Sequence, residues 1–163
     1  MRKLKKAEIK RIRKGLLDWY DLEARDLPWR RDPSPYGTWI SEMMLQQTRV
    51  DTVIPYYRSF IEALPSVEAL AEVEEDFLLK LWQGLGYYSR ARNLHKAAQV
   101  MMKEFGGNLP RDPEVLKTLP GIGEYSKGSI ASIAYGVPVP AVDGNVIRVL
   151  TRMVACSEDW RKS

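Results

Sequence analysis

Two short stretches, Leu119-Pro120-Gly121-Ile122-Gly123 and, further along, Val142-Asp143-Gly144-Asn145, decide how this chain folds and what it does. A short helical pattern over 112–118 leads into the first stretch, and a second over 124–135 leaves it. Two glycines around one apolar residue allow a tight turn and the close approach of another backbone. The first N–H groups of the second helix have no partner inside that helix and are available to an anion. Such a turn between two short helices suits a nucleic-acid phosphate, with Asp143 as a candidate for chemistry beside it. The same residues also make a plain helical hairpin followed by an Asp that only caps the next helix. The turn alone does not choose between the two.

Composition narrows the class. The 163 residues suffice for one domain or two small lobes with a real core, and the apolar fraction of 45% is ordinary for a globular chain. No apolar run approaches the roughly 20 residues that span a bilayer. The basic N-terminus is not followed by the apolar stretch of a secretory signal. A single cysteine, Cys156, excludes an internal disulfide and fits a cytoplasmic setting. The net charge of +4 is uneven: residues 1–14 hold eight Lys or Arg and one acid, and the remainder sums to −3. That stretch suits contact with nucleic acid, or the solvated face of a helix. Weak overall charge does not exclude DNA where backbone amides take part of the phosphate contact.

The chain reads as all-α. Ile9, Ile12, Leu16 and Tyr20 recur at helical steps and predict an amphipathic helix over 7–23. A loop with Trp29, Arg30, Arg31 and three prolines follows, then a helix from Ser34-Pro35 through Gln46. Thr48 is expected to cap a helix over 49–64 that Pro55 bends. Short helices are predicted over 66–71 and 74–82. Gly84-Leu85-Gly86 breaks the chain before a helix over 89–105 that stops at Gly106-Gly107. Beyond the hairpin, Val137-Pro138-Val139-Pro140 is extended, and Asp143 caps a last helix to about Met153.

Glu42 is a lone acid in the apolar run Trp39-Ile40-Ser41-Glu42-Met43-Met44-Leu45. Thr38, Glu42 and Gln46 share one face at four-residue steps. Burial there disfavours the charged carboxylate and suits a general acid; on the polar stripe of an exposed helix Glu42 is merely solvated. Two carboxylates in unequal environments are the usual device for cleaving a glycosidic bond through a cationic sugar.

Six segments, taken in order, resemble the helix-hairpin-helix DNA glycosylases and, within them, the adenine DNA glycosylase (MutY) family. They are Leu27-Pro28-Trp29-Arg30, Ser41-Glu42-Met43-Met44-Leu45-Gln46-Gln47-Thr48, Leu81-Trp82-Gln83-Gly84-Leu85-Gly86-Tyr87-Tyr88, Arg90-Ala91-Arg92-Asn93-Leu94, the Gly121 turn and Val142-Asp143-Gly144-Asn145-Val146. The resemblance implies a six-helix barrel over 27–140 with the hairpin at 112–135. It places 1–26 as a helix of the lobe beside an iron–sulfur cluster, and 141–163 as the start of the C-terminal helical lobe. It implies a base-excision enzyme that releases adenine mispaired with 8-oxoguanine or guanine in double-stranded DNA. Its setting would be the bacterial cytoplasm, or the eukaryotic nucleus or mitochondrion. Glu42 matches the general acid, and Asp143 the carboxylate that stabilises the sugar cation and guides water. Trp29 and Arg30 match pocket-lining positions, Gln47 a wedge in the vacated stack, and Tyr87 a residue intercalating beside the opposite base, with Thr48 and Leu85 nearby. The amides of Gly121, Gly123 and Ser126 would hold phosphate, and the carbonyls of Lys117, Leu119 and Ile122 a monovalent cation. Tyr125 stands where bifunctional relatives such as endonuclease III carry a Schiff-base lysine, which implies a monofunctional enzyme. Lys127 lies about 200° further around the helix and does not replace it. His95 reads as structural.

The family's [4Fe–4S] cluster takes four cysteines, and this chain has only Cys156. The chain is therefore expected to hold no cofactor, and to be a fragment of a longer protein that carries the cluster and an 8-oxoguanine-reading domain. The face of Ile9, Ile12, Leu16 and Tyr20 is expected to be poorly covered, giving a mobile first helix or self-association. A mismatch thymine glycosylase shares the Tyr and Asp positions, while Gln46-Gln47 and Asp143-Gly144 favour the adenine enzyme. A non-catalytic DNA-binding module is the alternative from another class, and the pairing of Glu42 with Asp143 argues against it.

Overall fold

A computed structural model describes residues 3–156, and every regular element among them is a helix. In chain order these are α1 (Lys6–Glu23), α2 (Pro28–Arg31), α3 (Pro35–Leu45), α4 (Val50–Ala63), α5 (Val67–Glu72), α6 (Glu75–Leu81), α7 (Ser89–Phe105), α8 (Pro113–Leu116), α9 (Glu124–Tyr135) and α10 (Gly144–Met153). The part of the expected C-terminal lobe over 157–163 lies outside the described residues. No helix among the described residues is long and apolar enough to cross a membrane.

Local chemistry sets the ends. Ser34 Oγ accepts the Gly37 N–H at 3.0 Å and Ser66 Oγ that of Ala69 at 3.1 Å, so each serine starts its helix. Such caps contribute about 1 kcal/mol. Helices α7 and α9 stop at Gly106 and Gly136, whose φ of 58° and 64° places them in the left-handed region.

Three boundaries differ from the sequence expectation. Residues 28–31 form a helical turn rather than loop, because Pro28 fits a first helical position and the N–H groups of Arg30 and Arg31 both reach the Leu27 carbonyl. Thr48 does not cap α4; Arg49 holds that position without a side-chain cap, and the Thr48 hydroxyl accepts from Arg90 instead. Helix α8 is shorter than 112–118, since Thr118 and Leu119 bond back three residues, to Val115 and Leu116, in a tighter turn.

The described chain divides into two units: Leu27–Ala141, and a second to which α1 and α10 belong. The larger unit is organised around α3, which packs against α2, α4, α7 and α9. Seven of its eleven residues are buried, among them Trp39, Ile40, Met43 and Met44 at full depth. Phe60, Leu78, Trp82, Leu94 and Met101 close the core around it. Each such side chain contributes roughly 1.5–3 kcal/mol. His95 Nε2 lies 3.2 Å from the Ala71 carbonyl and, as Nε2–H, ties α7 to the end of α5.

In the smaller unit α1 buries no residue, and Ile12, Leu16, Leu17, Trp19, Tyr20 and Leu22 are exposed. Of the face expected to be poorly covered, Ile12, Leu16 and Tyr20 are exposed and Ile9 is half-buried.

Helix α9 runs directly over the extended segment after it. A Cβ built on Gly128 would lie 2.2 Å from the Pro140 carbonyl oxygen, a backbone atom that cannot swing away. Gly128→Ala is therefore expected to destabilise the chain by about 1–3 kcal/mol despite alanine's better helix propensity. An unchanged or raised melting temperature would contradict this packing.

Candidate active site

The face of α3 that carries Thr38, Glu42 and Gln46 turns toward α9. Gln46 Nε2 donates to Ser126 Oγ at 3.2 Å, and the Ser129 hydroxyl, one turn further along α9, is the polar group of that helix that acts on the Glu42 carboxyl. Glu42 is partly buried among the apolar residues of α3. Burial raises its pKa above the ordinary carboxylate value, and the Ser129 bond draws it part of the way back. Thr38 is buried one turn before Glu42, and its hydroxyl has no protein partner.

Asp143 sits in the opposite environment. It caps α10: Oδ1 accepts the Val146 N–H at 2.8 Å and Oδ2 accepts from Asn145 Nδ2 at 3.1 Å. The Val146 bond is the main reason its pKa lies below the ordinary value, and Asn145 adds to it. Capping and an ionised carboxylate are thus one arrangement.

The hairpin divides its two glycines by role. Gly121 has φ 83°, and a Cβ there would meet Met43 Cε at 2.7 Å and Asn93 Cβ at 2.9 Å. The fold itself requires glycine at that position. Gly123 has an ordinary φ of −98°, and nothing lies within 4 Å of a Cβ built on it. It forms the N-cap of α9 without a side-chain cap, so the first amides of α9, through Ser126, receive no side-chain oxygen from that position. The Ser126 side chain is buried and engaged by Gln46. Lys117, Leu119 and Ile122 all lie on this turn, where the Leu119 carbonyl already accepts the Ile122 N–H at 3.2 Å. Lys117 pairs with Glu124, while Lys127 pairs with Glu114 at 2.6 Å and Glu124 at 2.9 Å. These lysines hold Glu124 ionised down to about 2, and the two glutamates keep Lys127 protonated. Tyr125, on the same turn of α9, is 40% exposed.

Two further loops carry strained residues. Gln47 follows α3 with φ 59°, and Tyr87 precedes α7 with φ 48°. Left-handed backbone costs a residue with a side chain roughly 1–2 kcal/mol. Both side chains are exposed, Tyr87 at 62%. Leu85 was expected to touch DNA, but its side chain is only 6% exposed and packs in the core, so it offers no side-chain surface.

Arg90 was not singled out in the sequence. It is 6% exposed, at the start of α7. Its Nη1 donates to the carbonyls of Met43, Met44 and Gln46, and its Nη2 to those of Leu85 and Gly86 and to Thr48 Oγ1, all at 2.6–3.2 Å. The signal was available. Arg90 shares the apolar stripe of α7 with Leu94, Ala97 and Met101, where a cation needs acceptors inside the protein.

Trp29 is buried with its ring edge-on to Tyr57, the centroids 5.2 Å apart, while Arg30 is exposed. One cysteine in the chain cannot supply four thiolates, and no group of three or more His, Cys, Asp or Glu among the described residues is placed to hold a metal ion. The residues present do not fit an iron–sulfur cluster.

Comparison with known proteins places this architecture. The human adenine DNA glycosylase is 48% identical over 162 residues, a match that covers 94% of this chain and 30% of that protein. This chain thus spans about a third of its relative's length. Among solved structures, a thermostable thymine-DNA glycosylase superposes with a TM-score of 0.82 at 28% identity, covering 87% of this chain and 66% of that one. A trapped endonuclease III–DNA covalent intermediate gives 0.81 at 25% identity, covering 96% and 74%. Residues 40–163 match the HhH-GPD superfamily of base excision DNA repair proteins, and the chain belongs to that family.

Proposed function

We propose that the chain carries the catalytic centre of a monofunctional adenine DNA glycosylase acting on adenine opposite 8-oxoguanine or guanine. The observation that carries this is the divergence of two carboxylates: burial favours protonated Glu42, and hydrogen bonding favours ionised Asp143. In duplex DNA the adenine must leave the stack, since its N7 and glycosidic bond are otherwise out of reach. Glu42 donates its proton to N7, so that the C1′–N9 bond breaks with its electron pair leaving on the base. The ionised Asp143 is assigned the stabilisation of the resulting sugar cation and the guiding of the water that adds at C1′. Tyr125 offers no amine, and Lys127 is held protonated by two carboxylates, so hydrolysis stops at the abasic site. Gln47 fills the vacated stack, and Tyr87 enters beside the opposite base.

Glu42→Gln is expected to slow single-turnover adenine release by about 10²–10⁴-fold while duplex affinity stays within a few-fold. Asp143→Asn is expected to lose a comparable factor with little change in melting temperature, since Asn also caps helices. Near-normal release by either variant refutes the carboxylate pair. Faster wild-type release from T:G than from A:8-oxoguanine, or an adduct trapped by borohydride, refutes the adenine or the monofunctional assignment.

The pH dependence follows from the two shifts. Release requires protonated Glu42, so it declines as pH rises through that raised pKa. It requires ionised Asp143, so it declines as pH falls through that lowered one. Ser129→Ala removes the bond that draws the Glu42 pKa down, and the alkaline limb of single-turnover rate against pH should move to higher pH. A limb that stays or moves lower separates Glu42 from that limb.

Gly123→Ala meets nothing inside the chain and is expected to leave the melting temperature within about 2 °C while weakening duplex binding. Unchanged affinity would mean that no phosphate approaches this turn. Gly121→Ala should lower stability instead, because its clash is internal.

A further inference from the structure

The two strained loops end within reach of one side chain. Arg90 donates to the carbonyl of Gln46 at 2.6 Å, immediately before Gln47, and to the Oγ1 of Thr48 at 3.1 Å, immediately after it. It donates to the carbonyls of Leu85 and Gly86 at 3.0 and 3.1 Å, immediately before Tyr87. Its guanidinium carbon also lies 5.6 Å from the centre of the Tyr87 ring and 5.3 Å from that of Trp82. Gln47 and Tyr87 are two of the three residues with a side chain at positive φ among the described residues. Neither loop pairs with the other through its own backbone in the turn and loop hydrogen bonds.

We propose that Arg90 is a positioning residue that sets the Gln47 and Tyr87 loops in mutual register, so that the two side chains enter the duplex together. The terminal protons of a buried guanidinium find their acceptors inside the protein, and a planar fork with two terminal nitrogens reaches two loops at once. Its acceptors bracket Gln47 and precede Tyr87 directly, which holds each backbone where an uncrosslinked loop would relax to negative φ. Lysine supplies a single point of charge and does not bridge both sets. The Nε has no partner in the protein, so the binding is carried by the two terminal nitrogens that face the loops.

This inference rests on the glycosylase reading, and the test separates the two. Single-turnover adenine release is measured for wild-type and Arg90→Lys chains on two duplexes, one with adenine opposite 8-oxoguanine and one with adenine opposite an abasic-site analogue. Extrusion from the second is easier because no partner base holds the adenine. Misregistered wedges should cost about thirtyfold on the paired duplex and no more than about threefold on the unpaired one, in line with the cost of small misplacements. Adding Gln47→Asn, which tolerates left-handed backbone and keeps the amide, should recover part of the paired-duplex rate. Equal losses on both duplexes, or no loss, overturn the proposal. If Arg90→Lys does not fold, the wild-type chain still decides: the Arg90 η protons should give separate, slowly exchanging NMR signals that persist on binding duplex. A single averaged signal overturns the clamp. A wild-type chain that releases adenine from neither duplex refutes the glycosylase reading, and the NMR measurement then judges the clamp alone.

Discussion

Desolvation of α3 is the constraint on which the rest of the larger unit depends. The helix is packed by α2, α4, α7 and α9, and its run from Trp39 to Met44 is apolar apart from Ser41 and Glu42. Ser41 satisfies itself by donating to the Thr38 carbonyl at 2.9 Å. Glu42 has no such local solution. Its one specific partner is the hydroxyl of Ser129, a neutral group that can steady a carboxyl without neutralising it. Packing that stabilises the unit therefore also biases this side chain toward its protonated form. A lysine or arginine in place of Ser129 would pair with Glu42, lower its pKa and remove that bias.

Charge is handled differently at the hairpin and at Asp143. At the hairpin, Lys117 and Lys127 are tied to Glu114 and Glu124, so two of the cations nearest the turn are already matched by acids. A phosphate bound at this turn, as proposed above, would then rely on backbone amides more than on lysine charge. At Asp143 a single N-cap geometry keeps a carboxylate ionised without any cation. Both devices draw on main-chain dipoles, which cost little to hold because the helices that supply them are already folded.

Periodicity and punctuation made much of this legible in sequence. The limits of α7 and α9 were readable because Gly106 and Gly136 end them in the left-handed conformation. Glu42 stood out because an acid in an apolar run is rare, and its neighbours at four-residue steps define a face. Tertiary contacts hid the remainder. Nothing local says that Thr48 surrenders its capping role to a guanidinium more than forty residues away, or that Leu85 turns inward while Tyr87 turns out. Gly128 reads as a weak point in a helix until the carbonyl of Pro140 fills the space beside it. Arg90 was marked in sequence only by its place on the apolar stripe of α7; that its acceptors lie on two separate loops shows only in the fold.

Internal and external demands on the backbone can be told apart by what surrounds each unusual residue. Gly121 and Gly128 are crowded by atoms of the chain itself, so folding alone accounts for them. Gly123 has empty space where its side chain would be, so no internal clash requires a glycine there beyond the general suitability of glycine for an N-cap. Gln47 and Tyr87 show the same asymmetry in another form. Their backbones are held in a costly conformation by partners inside the protein, yet their side chains project into solvent. Strain retained at exposed side chains earns nothing for the isolated fold, so a binding partner is what gives it a use. All three positions belong to the larger unit, and the acid on α3 belongs to it as well. Under the proposed function these exposed positions are the ones a duplex would contact, which would give their backbone geometry a use that folding alone does not supply.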